Sequence, residues 1–213
     1  MMKRAFLLLS VAPKREEDSK RLFALVTVVV LAVVILTACD FLYEDPRVKH
    51  LFPLFITTSD LPSGWWRTGG GIGDAQGEGV ISCWVQFQGV PEEEFPSVLV
   101  SQELADYSNP EQATRAYAQQ LAAYFPTKNW VWPDQIEFHS QADQFHLACL
   151  KGKIRTFDGM HEHIRPHHAC TAIGQYGSIV SVLHANVFEN EWLTFEDLQR
   201  LLETADTRLA SQS

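Results

Sequence analysis

The longest uncharged apolar run in the chain is Leu22–Ala38, LFALVTVVVLAVVILTA. As a helix at ~1.5 Å per residue it spans roughly 26 Å, just short of a ~30 Å hydrocarbon core. It is also longer than the ~7–15 residues of an ordinary signal-peptide core. Length alone therefore leaves two readings open, a cleaved signal and a retained anchor. Residues 1–38 read as a targeting segment, 39–59 as a stem and 60–213 as a globular domain. Phe41, Leu42, Leu51, Phe52, Leu54, Phe55 and Ile56 make the stem apolar, so its second half is expected to pack on the domain.

Beyond the stem the pattern changes period. Leu61-Pro62-Ser63-Gly64-Trp65-Trp66 is a turn whose two rings are expected to plug one end of the core. Thr68–Gly79, TGGGIGDAQGEG, reads as a loop between strands. It is no phosphate cradle: its spacing is not that of a P-loop, no Lys-Ser/Thr follows, and Asp74 and Glu78 would repel phosphate. Val80–Phe87 alternates at period two, with Ile81, Cys83, Val85 and Phe87 on one face. After the charged run Glu92–Glu94, Ser97–Leu104 reads as a second strand. A helix follows, with Asn109 as N-cap, Pro110 at the first helical position and an inward stripe of Ala113, Ala116, Tyr117, Leu121, Tyr124 and Phe125. Further strands are expected near Gln135–Ser140, Gln144–Lys151, His168–Gly174 and Ser178–Val187. Lys151–Pro166 is expected to be a long polar hairpin loop. The last element is a helix opened by the capping-box pair Thr194 and Asp197, with Leu198, Leu201, Leu202, Ala205 and Leu209 facing inward.

These elements predict an α+β fold: an antiparallel sheet of about six strands with two main helices packed on it, preceded by an N-terminal apolar signal helix. The element order over roughly residues 55–210, with the Leu-Pro-x-Gly-Trp opening at Leu61–Trp65, resembles small α/β/α-sandwich exported proteins of the PsbP-like family and extracytoplasmic sensor-type lipoprotein domains. That resemblance assigns no functional residue.

Charge adds direction. The chain has 17 basic and 26 acidic residues; six basic and three acidic ones precede Cys39, leaving 11 and 23, a formal −12, for positions 39–213. So acidic a domain should be repelled by nucleic acid, whose binding rests on Lys and Arg neutralising phosphates. Lys14, Arg15, Lys20 and Arg21 precede the apolar run and Asp40, Glu44 and Asp45 follow it, which keeps the N-terminal side in the cytoplasm. Leu36-Thr37-Ala38-Cys39 resembles the lipobox of bacterial lipoproteins, a Leu and two small residues before a Cys. The resemblance implies that a signal peptidase cuts before Cys39 and that its thiol carries a diacylglycerol. Such double acylation suffices for stable anchoring. The expected location is the extracytoplasmic face of the cell membrane, with an envelope protein or a small ligand as partner. Asp40, next to the acylated residue, resembles an inner-membrane retention signal of enteric-type bacteria.

Candidate chemistry is sparse. His161-Glu162-His163 and His167-His168 could converge on Zn²⁺ or Cu²⁺, with Glu162 as a further ligand, although no zinc-finger or zincin spacing is present. Gly-x-Ser-x-Gly is absent, and Gly177-Ser178 lacks the rest of the pattern, so an envelope hydrolase would need a Ser-His-Asp set assembled from distant segments. With Cys39 acylated, three cysteines remain. Hairpin register favours Cys149 with Cys170, and Cys83, in an apolar alternation, reads as a buried thiol outside the bridge. Three readings follow: a non-catalytic lipoprotein that binds a ligand or protein, a metal-binding lipoprotein, and a hydrolase.

Overall fold

The computed structural model describes residues 48–73, 80–89, 94–95, 98–158, 161–188 and 192–212. Targeting segment, lipobox and Cys39 lie outside the described residues. Seven strands form one antiparallel sheet: β1 Trp65–Gly73, β2 Ile81–Gly89, β3 Glu94–Phe95, β4 Val98–Asp106, β5 Gln144–Asp158, β6 His161–Tyr176 and β7 Ile179–Val187. Their spatial order is β1-β2-β4-β7-β6-β5-β3. Six are long and β3 is a two-residue pairing at the edge. The two α-helices described are α1, Pro110–Tyr124, and α2, Phe195–Ala210. Asn109 caps α1 by accepting from the Gln112 amide, and Thr194 and Asp197 close the capping box of α2. The expected α+β class, the antiparallel sheet and both helix starts are therefore found.

β7 lies at the centre, and its alternation decides the layering. Ile179, Leu183, Ala185 and Val187 join the larger core with Leu198, Leu201, Leu202, Ala205 and Leu209 of α2. Val180 and Val182 join a second cluster with Ala113, Ala116 and Tyr117 of α1. Successive strand residues project to opposite faces, so α1 and α2 cover opposite faces of the sheet. The α2 face has further cover. Val48, Leu51, Leu54, Phe55 and Ile56 are buried there, so the stem belongs to the domain from residue 48 onward. Gln102, buried in β4, accepts from the Ile56 amide at 2.8 Å, and Arg208 of α2 donates to the Phe55 carbonyl and to Asp60 at 2.7 Å. Burial alone would push the Asp60 carboxyl up, but the bonds from Arg208 and Thr57 and the Arg208 charge outweigh it and hold it below its ordinary value.

Four expectations need correction. Gln135–Ser140 is not a strand. Its alternation is real, since Ile136 and Phe138 pack into the core. Its backbone, however, turns to other partners: the Ile136 amide donates to the Pro133 carbonyl, the Glu137 amide to Gln199 of α2, and, just beyond, the Gln141 amide to Asp206 of α2. The Thr68–Gly79 loop is overturned in its first half, where Thr68–Gly73 lies in β1. Those glycines have a packing reason: a Cβ on Gly69 would stand 2.9 Å from the Trp84 ring, which lies against the strand. The Lys151–Pro166 loop is overturned too. β5 and β6 continue as a ribbon, paired without interruption from Gln144↔Gln175 to Asp158↔His161. Finally, only one of the paired tryptophans plugs the core: Trp65 is buried and Trp66 is 44% exposed.

Cys149 and Cys170 stand directly opposite and are bonded, with Cα atoms 4.0 Å apart. On its other side Cys149 exchanges both backbone hydrogen bonds with Val131. Its polar groups thus point away from β6, which makes Cys149–Cys170 a non-hydrogen-bonded pair, the closer of the two antiparallel arrangements. The bridge closes a separation of 21 residues, so its removal should destabilise the domain by about 3 kcal/mol. Denaturant unfolding of the Cys149→Ala/Cys170→Ala double variant measures this. Unreduced peptide mapping should recover a 149–170 link, and a linked peptide containing Cys83 would contradict the strand register.

Candidate functional site

One helix about 10 Å across covers about two strands spaced ~4.8 Å apart. α1 lies on β6 and β7, so β4, β2 and β1 keep an open surface on the α1 side. Register places the residues of that surface in rows. Gln86, Ser101, His184 and Thr171 form one row; Trp84, Glu103, Val182 and Ile173 form the next; Ser82, Ala105 and Val180 form a third. Exposure on this face centres on the Trp84 row: Trp84 is 37% exposed, whereas Ser82 and Ala105 in the third row are buried, as Cys83, Val85 and Phe87 are on the other face.

Glu103 sits at the centre of this open surface. Among the described residues no hydrogen bond or ion pair reaches its carboxylate. Burial raises it above the ordinary carboxylate range, with no cation to oppose the shift. Tyr107 and Tyr124, from the start and end of the α1 region, flank it. Burial raises both phenols, and the Glu103 charge raises them further. Tyr124 also packs on His184, ring centroids 4.7 Å apart, and His184 Nδ1 lies 2.9 Å from Thr171 Oγ. Burial lowers the His184 pKa, so the ring is neutral near pH 7. Ser82 Oγ, without a hydrogen-bond partner among the described residues, is closed against Gly73, where a Cβ would stand 2.2 Å from it and 3.7 Å from Glu103 Oε1. A half-buried uncompensated carboxylate beside aromatics is an arrangement that marks functional sites. Sequence reading missed it because Glu103 lies near the end of the predicted strand Ser97–Leu104 with no motif around it. The one available signal was an acid and a Trp at paired β positions, which only the register reveals.

The residues singled out from sequence lie elsewhere. Among the described residues no group of three or more His, Cys, Asp or Glu side chains is placed to hold a metal ion. His167 and His168 are neighbours on β6 and make separate contacts, His167 stacked on Phe188 and His168 edge-on to Phe195. Burial, and then the charge of His168, lowers the His167 pKa. His161 and His163 pair through the backbone with Asp158 and Thr156, and their side chains are outside the described residues. Cys83 is a buried thiol in β2 and is not part of the disulfide. A serine, a histidine and an aspartate do meet, in an order unsuited to nucleophilic catalysis. Asp106 stands between His50 and Ser178, 2.8 Å from each. A nucleophilic serine needs the imidazole as its direct base. Asp206 likewise accepts from Tyr176, Gln141 and Ser140, which fastens the 137–142 segment to α2. Comparison with protein families, curated proteins and solved structures gives no match.

Raising the folded-state pKa of an acid means that its charged form opposes folding, and the penalty is present above the folded pKa and fades as pH falls below it. Glu103→Gln should therefore stabilise the domain at pH 7 by roughly 1 kcal/mol, raising the thermal midpoint by ~2–4 °C. The gain should shrink as pH falls through the raised carboxyl pKa toward the ordinary carboxylate value. Thermal unfolding of both proteins between pH 3 and pH 7 reads the difference.

Proposed function

We propose that this protein is a membrane-anchored lipoprotein of the cell envelope, tethered through Cys39, whose extracytoplasmic domain binds a ligand without catalysing a reaction. The observation that carries the tether is Leu36-Thr37-Ala38-Cys39 at the end of an uncharged apolar segment with basic residues before it and acidic residues after it. The Cys149–Cys170 bridge supports the same side of the membrane independently, since disulfides persist in oxidising compartments and are rare in the cytosol. The open surface around Glu103 supports binding: among the described residues it leaves that carboxylate without a partner, and a ligand would supply one. The geometry of Asp106, His50 and Ser178 favours binding over hydrolysis, because the carboxylate separates the other two groups.

Expressed in a bacterial host, the chain should incorporate labelled fatty acid and fractionate with membranes. Cys39→Ser should abolish the labelling. Labelling that survives this substitution would overturn the tether.

A further inference from the structure

The features of the open surface constrain the chemistry of its occupant. Glu103 offers a carboxylate on β4 with no donor, and its neighbour across the β2 pairing is Trp84. The Trp84 ring lies over the glycines of β1: Cβ atoms on Gly69 and Gly71 would stand 2.9 and 3.6 Å from it. With 37% of the residue still exposed, the indole offers a surface beside the acid. Tyr107 and Tyr124 pack against the α1 cluster on the other side of Glu103. Ser82, 1% exposed, is closed against Gly73 beneath this surface and takes no part in it.

A neutral ligand would leave the carboxylate uncompensated, and an anion would be repelled by Glu103 and by a domain of formal charge −12. A bare metal ion would find one carboxylate, too few ligands for the six to eight oxygens of Ca²⁺ or the near-ideal octahedron of Mg²⁺. A primary ammonium group on an apolar stem meets these requirements. Its N–H groups donate to the carboxylate, its charge offsets the desolvation of Glu103, and its methylenes and cation are attracted to aromatic rings. We propose that the open surface between Trp84, Glu103 and Tyr124 is a binding site for a small organic amine in its ammonium form. This rests on the reading of the domain as a binding module and specifies its ligand class.

The test uses the full-length lipidated chain in detergent micelles, labelled with 5-fluorotryptophan, with n-butylammonium as probe and n-butanol as its neutral counterpart. The six tryptophans give separate fluorine signals, and Trp84→Phe assigns one of them. Saturable movement of the Trp84 signal with n-butylammonium is expected, and at least tenfold weaker binding in Glu103→Gln. Equal binding of n-butanol would overturn the ammonium specificity and leave a ligand site on this surface. Absence of a saturable shift at Trp84 with either probe would overturn the amine site. Saturable shifts confined to tryptophans away from this surface would overturn both the amine site and its placement in the binding reading.

Discussion

The alternation of β7 governs this domain. A central strand apolar at both its odd and its even positions must be covered on both faces, and the chain supplies very unequal cover. On one face α2, the segment from Val48 to Leu61 and the coil through Ile136 and Phe138 together seal the core. On the other face, among the described residues, a helix of 15 residues with Phe125 and Trp130 beyond its end gives the cover. The helix reaches β6 and β7. What it leaves open on β4 and β2 follows from the width of a helix and the spacing of strands, and Glu103 and the exposed Trp84 lie there.

Polar contacts then fix the covered face in place. Gln102, Arg208 and Asp206 each reach from a regular element to the backbone or side chains of an irregular one. These three side chains hold the stem and the 137–142 segment on the domain without joining them to the sheet, because they satisfy amides and a carbonyl there. Glu103 is the opposite case. It is partly withdrawn from water and receives nothing in return, which costs stability in the isolated domain. A residue of that kind makes sense where a ligand supplies the missing partner.

Much of the fold was legible in the sequence because local rules and burial agree there. Both helix starts follow from Asn109-Pro110 and from Thr194 with Asp197, and both inward stripes fall at helical spacing. The Cys149–Cys170 pairing was legible because consecutive strands leave little freedom of register. The errors arose where alternation had two physical outcomes. Ile136 and Phe138 alternate as strand residues do, yet the amides between and beside them bond to Pro133 and to Gln199 of α2. The glycines of β1 read as loop residues because the indole that covers them comes from Trp84, a neighbour in space and fifteen residues from Gly69 in sequence. The Lys151–Pro166 segment read as a loop because its polar residues show no period-two apolar alternation, although the β5–β6 pairing runs through it without interruption. The site around Glu103 stayed hidden for a related reason: its members are single residues on β2, β4 and the α1 region, brought together by register alone.

The most direct test of this asymmetric cover is hydroxyl-radical footprinting of the folded chain, read at residues close in sequence but opposite in face. Trp65 is 6% exposed, Trp66 44% and Trp84 37%, and Phe87, two positions from Gly89 in β2, is 2% exposed. Trp66 and Trp84 should oxidise quickly, and Trp65 and Phe87 should be protected. Protection of Trp84 equal to that of Phe87 would show that the surface is covered and would contradict the account.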